Sequence, residues 1–124
     1  MDYRFWENER GRSPVLEELE KVTLADANSG KSYWLHLNRL KKYEFDQLLR
    51  HRIIKKLKGK NSNKLFELRF NLPRKVARTF FIVGRDSCLW LLHLKIKKKD
   101  KTDSSDIATS EQRAKILNQE IHYL

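Results

Sequence analysis

Hydrophobic and polar positions change period along this chain, and each change predicts an element. From Asp2 to Glu7 they alternate, Tyr3 and Phe5 on one side and Arg4 and Trp6 on the other, which predicts an opening strand. After the turn sequence ENERGR, Ser13 stands before Pro14, the pairing of N-cap and first helical residue that starts helices. Val15, Leu16, Leu19 and Val22 then form an apolar stripe, and Glu17, Glu18 and Glu20 suit the positive end of the helix dipole. A second helix is predicted from near Ala27 to about Lys42, because Tyr33, Leu37 and Leu40 recur at helical spacing with Trp34 beside them; Gly30 weakens its start. Phe45 to Leu57 reads two ways: Leu48, Leu49, Ile53, Ile54 and Leu57 fit a third helical stripe or an irregular approach to a sheet. KGKNSNK, with Gly59 and the Asn61-Ser62-Asn63 cluster, predicts a loop.

From Leu65 the period becomes two. LFELRF, VARTFFIV and CLWLLHLKI are three strand-length runs, separated by a turn at Leu72-Pro73 and another at Gly84-Arg85-Asp86-Ser87. Such short connections predict antiparallel neighbours and hence a meander. Thr102 to Ser105 is a polar break, and Ile107, Ala114, Leu117 and Ile121 mark a closing amphipathic helix. The expected class is α+β: an antiparallel sheet made of the N-terminal strand and the three-strand meander, helices on one face and the other face available.

Size and charge narrow the function. The 124 residues predict a single domain, 1–124. A net charge of +11 in a chain that is still 40% hydrophobic describes a folded basic protein, whose natural partner is a polyanion. Nucleic acid fits better than a membrane surface, because the basic residues crowd the middle and penultimate third rather than one amphipathic helix; an acidic protein fits equally well. The single cysteine, Cys88, excludes an internal disulfide and reads as a buried small hydrophobe in a reducing compartment. The charged start MDYRFWENER is unlike a signal peptide, and no run approaches the roughly 18 apolar residues of a membrane span, so a cytoplasmic protein without membrane contact is expected.

Candidate chemistry gathers on the meander. Alternation places Glu67 and Arg69 on one face, with Phe66, Leu68 and Phe70 opposite, and places Arg78 with Phe80 and Ile82. Normal pairing would bring Arg69 and Arg78 together as two guanidiniums aimed at one anion; the bland alternative is a surface ion pair between Arg69 and an acid such as Glu67. Lys95, Lys97, Lys98, Lys99 and Lys101 leave the end of the last strand, and Lys58, Lys60 and Lys64 line the earlier loop. The run from Lys95 to Lys101 is an ordinary solvated segment or a phosphate-binding surface. His93 sits in LLHLK, a structural histidine or a proton-transfer group, since imidazole works near neutral pH. His36, His51 and His122 are scattered and give no zinc spacing; a glycine-rich phosphate loop, GxSxG and HExxH are all missing. Metal-dependent and covalent catalysis are thereby disfavoured, and no cofactor is expected.

Taken in order, GRSPVLEELEKV, KKLKGKNSNKLFELR, the strand arginine of ARTFFIV and LLHLKIKKKDKT with its closing helix resemble the HigB branch of the RelE/ParE toxin superfamily. The resemblance implies a RelE-like fold and a type II toxin: a ribosome-dependent, metal-independent mRNA endoribonuclease silenced by a cognate antitoxin, often a helix-turn-helix protein encoded next door. It implies a catalytic set of Arg69, Arg78, His93, Lys97 and Lys98, with Lys58, Lys60, Lys64, Lys95, Lys99 and Lys101 binding RNA. Leu94 and Lys95 stand where the family commonly has Gly-Phe, Lys99 stands where it has Thr after the lysine pair, and Thr102-Asp103 stands at its Thr-Pro step. The alternatives are a non-hydrolytic ParE-like inhibitor of a protein target such as DNA gyrase, and a decayed toxin that only binds RNA or antitoxin.

Overall fold

The computed structural model describes residues 1–57, 64–97 and 104–121, the last four by backbone alone. The order of elements is β1 (Tyr3–Phe5), α1 (Pro14–Ala25), α2 (Ala27–Arg39) with a 3-10 turn at Leu40–Lys42, α3 (Phe45–Arg50), β2 (Ile54–Lys56), β3 (Phe66–Leu72), β4 (Lys75–Val83), β5 (Leu89–Lys97) and α4 (Ser104–Ile121). The protein is α+β, with a five-stranded sheet in the order β1-β5-β4-β3-β2, consistent with a RelE-like fold.

Local signals set the helices. The Ser13 hydroxyl accepts from the Leu16 N–H at 3.2 Å and Pro14 opens α1, so one orphan donor is satisfied and another was never present. Asp26 ends α1 and caps α2, accepting from the Asn28 N–H at 3.1 Å and the Ser29 hydroxyl at 2.8 Å. Gly30 earns its place in α2 through close packing: a Cβ there would collide with Thr23 of α1. Only the front of the ambiguous Phe45–Leu57 stretch is helical, as α3, and its end is the short strand β2.

β2, β3, β4 and β5 are antiparallel neighbours, with short turns joining β3 to β4 and β4 to β5, while β1 lies parallel to β5 with Tyr3 opposite Leu89 and Phe5 opposite Leu91. The sheet is therefore mixed rather than purely antiparallel. A strand that reaches the sheet through helices arrives in either sense, and pattern alone does not fix which. The β3–β4 turn is Pro73-Arg74, with Arg74 at φ +60°.

Helices cover both faces, not one. Against α1, α2 and α3 lie Leu68, Phe70, Ala77, Phe81, Leu89, Leu91 and Leu94, forming one core with Val15, Leu19, Tyr33, Leu37 and Leu48. Against α4 lie Phe80, Ile82 and Leu92, joined by Trp6, Leu57, Leu65, Ala114 and Leu117. A β-bulge makes this division possible. Phe80 faces His93 while Phe81 faces Leu91, so Leu92 is an extra residue in β5. It lets Leu89 and Leu91 share a face with Leu94 and Ile96, which strict alternation would send to opposite sides. Cys88 is buried beside this strand and unpaired.

Candidate functional site

α4 covers only part of its face, and the remainder carries charge. In the β3–β4 ladder Arg69 is the direct partner of Arg78, and in the β4–β5 ladder Arg78 is the direct partner of Lys95. Three cationic side chains thus stand abreast on neighbouring strands; directly opposed residues have Cβ atoms only about 5 Å apart. Lys97, two residues along β5, pairs with Val76 and projects on the same side as Lys95.

Like charges side by side are unfavourable, and buried carboxylates offset them. Glu67, diagonal to Arg78 on β3, accepts a hydrogen bond from Arg78 Nη1, and both side chains are buried, 3% and 8% exposed. Arg69 lies beside them at the exposed rim, and Lys95 and Lys97 are half-buried. Glu67 thus forms a buried ion pair with Arg78. Along the row Arg69 is exposed, Lys95 and Lys97 are half-buried and Arg78 is buried.

His93 points to the α4 side, its ring 5.6 Å from that of Phe80. Its Nε2 lies 2.9 Å from Asp106 Oδ1 and its Nδ1 3.1 Å from Arg113 Nη1; the same Arg113 nitrogen donates to the Leu92 carbonyl at 2.9 Å. Asp106 is buried, and its other oxygen, Oδ2, lies 4.0 Å from Lys97 Nζ. Burial pulls the Arg113 guanidinium below its ordinary value. The Leu92 bulge brings its own carbonyl to Arg113, and the sheet and α4 are stitched there by polar bonds rather than by apolar contact.

Asp106 and Arg113 were not among the residues singled out by sequence. The signal for them lies in α4 itself: Asp106, Ser110 and Arg113 recur at intervals of four and three on the stripe that continues through Ala114 and Leu117, polar residues where a core helix would be apolar. Of the residues singled out, Arg69, Arg78, His93, Lys95 and Lys97 come together. Lys64 lies apart, lining a cavity of about 420 Å³ with Met1, Glu44, Phe45 and Phe66 near the opposite end of β3. Lys58, Lys60, Lys98, Lys99 and Lys101 lie outside the described residues, as do most of the KGKNSNK loop and His122. Among the described residues no group of three or more His, Cys, Asp or Glu side chains is gathered as a metal site requires, and no helix is long and apolar enough to cross a membrane.

A search of curated proteins finds none that matches. The family model described as phage-derived protein Gp49-like (DUF891) matches residues 15–115, a span that runs from the second residue of α1 through β5 and holds the whole basic row, Asp106 and Arg113. The chain belongs to this Gp49-like family, a phage-derived, RelE/toxin-like family.

Proposed function

We propose that the protein is the toxin of a type II toxin–antitoxin module, of HigB type, and that it cuts messenger RNA engaged in translation without a metal ion. The observation that carries this reading is the in-register row Arg69–Arg78–Lys95 with Lys97 beside it. Metal-free RNA cleavage requires the 2'-hydroxyl to lose its proton and attack phosphorus. The 5'-oxygen then leaves with a proton, giving a 2',3'-cyclic phosphate and a 5'-hydroxyl. Charge accumulates on the two non-bridging oxygens in between. Guanidiniums from adjacent strands are suited to that task, because each presents a planar fork of donors and Arg78 is held by Glu67 before substrate arrives. Lys95 and Lys97 extend the same surface along the RNA backbone and place ammonium groups near the leaving oxygen. The ribosome orients the message, so activity on free RNA is expected to be weak.

The family supports an antitoxin as partner, and an acidic one fits a face of this charge. A cytoplasmic site of action follows from the substrate. A second reading, binding without hydrolysis, is favoured by one observation: Arg78 and His93 are already engaged by Glu67 and Asp106.

The experiment is cleavage of a translated message in a reconstituted translation system. Arg69→Ala, at an exposed position, is expected to keep the fold by circular dichroism and to lose cleavage by roughly two orders of magnitude, the scale of removing one transition-state donor. Cleavage at the wild-type rate would remove the row from the reaction. Wild-type protein that binds RNA yet never cleaves translated message would establish the second reading.

A further inference from the structure

The donor chemistry around His93 determines more than its position. Arg113 has hydrogens to give and no lone pair to offer, so its 3.1 Å contact with Nδ1 requires that nitrogen to be the acceptor. The ring proton is then on Nε2, where it is donated to Asp106 Oδ1 at 2.9 Å. Both nitrogens are occupied, and among the described residues the ring is in contact with Phe80 from β4 and with Asp106 and Arg113 from α4. A neutral imidazole clamped this way has no lone pair directed at a substrate. Asp106 extends the chain, since among the described residues its second oxygen makes no hydrogen bond and faces Lys97 Nζ at 4.0 Å.

We infer that Asp106 and Arg113 of α4 are positioning residues: they lock His93 as the neutral Nε2-protonated tautomer, and through Asp106 they hold Lys97 on the basic row. His93 is accordingly a positioning residue as well, and the proton-transfer groups of the reaction lie elsewhere on the row. The inference rests on the ribonuclease reading only for its effect on rate; the tautomer stands independently of it. The arrangement also gives α4 a purpose beyond covering Phe80 and Leu92. A helix docked by apolar contact alone tolerates sliding, whereas two polar bonds to opposite nitrogens of one ring fix its position along β5.

Two measurements on the full chain test this. Long-range proton–nitrogen correlation of histidine rings distinguishes the tautomers, with the His93 signal assigned by its loss in His93→Gln. The expected spectrum at neutral pH is a single neutral ring, protonated at Nε2; an Nδ1-protonated ring, a mixture or an imidazolium would overturn the inference whatever the enzyme does. Asp106→Asn keeps an acceptor for Nε2–H and removes only the charge facing Lys97. It is expected to preserve the tautomer and to lower kcat on translated message by about tenfold, typical of losing an orienting partner, with KM unchanged. An unchanged kcat would overturn the link to Lys97. Wild-type protein that shows the expected spectrum but no cleavage would refute the ribonuclease reading and leave the lock standing.

Discussion

The two faces of the sheet are built on opposite terms. Toward α1, α2 and α3 the strands present Leu68, Phe70, Ala77, Phe81, Leu89, Leu91 and Leu94, and the buried polar contact there is the 2.6 Å hydrogen bond between the Tyr33 and Thr79 hydroxyls. Toward α4 the same strands begin apolar, at Phe80, Ile82 and Leu92, and end charged, at Arg69, Arg78, Lys95 and Lys97. A face packed from edge to edge is enough to hold the sheet, which frees the other to carry buried charge that stability does not require. The Leu92 bulge is where the two designs meet, since it realigns β5 so that one face stays apolar while the other receives His93 and the lysines.

The contrast breaks most severely on the apolar side. Phe81→Ala, at a fully buried position, is expected to cost about 3–5 kcal/mol in urea denaturation, with cleavage by the folded fraction unchanged. On the charged side the expected pattern differs. Arg78→Met removes the guanidinium that donates to the buried Glu67 carboxylate and is expected to cost about 3 kcal/mol, while the double variant Glu67→Leu with Arg78→Met recovers most of that loss. Neither variant should cleave message. Recovery of stability without recovery of cleavage separates the two faces; equal loss in single and double variants would mean that the ion pair itself stabilises the fold.

Smaller effects sharpen the picture. Tyr33→Phe leaves the Thr79 hydroxyl buried without that partner and is expected to cost about 1 kcal/mol, with kcat unaffected. Burial already raises the Tyr33 phenol above its ordinary value, against the opposing hydrogen bond with Thr79, so the phenol stays neutral. Arg74→Gly, at φ +60°, relieves a left-handed residue and is expected to stabilise by about 1 kcal/mol. Lys95→Ala should change stability by less than about 0.5 kcal/mol and reduce the salt dependence of RNA binding by about 0.7 in logarithmic slope, one phosphate contact on a single strand.

Much of this was legible in the sequence, for physical reasons. Ser13-Pro14 is a local signal and acts locally. The period-two runs fix the strands, and two-residue alternation with short turns places Arg69 and Arg78 on one face. The parallel sense of β1 was not legible, because it depends on where two helices deliver a strand. β2 is too short to announce itself among Ile53, Ile54 and Leu57. The extra residue at Leu92 was hidden because LWLLHL is apolar on both faces whatever its register. Asp106 and Arg113 escaped notice because their meaning comes from the histidine opposite, which no spacing within α4 reveals.

The most direct test of the central claim, that the charged face engages RNA through the row, is a nuclear magnetic resonance titration of the labelled protein with a short RNA whose 2'-hydroxyls are methylated to block cleavage. Side-chain and amide signals of Arg69, Arg78, Lys95 and Lys97 are predicted to shift together at one saturating stoichiometry, with Tyr33, Phe70 and Phe81 unmoved. Shifts confined to the α1 and α2 face, or no shift in the row at low salt, would contradict the account.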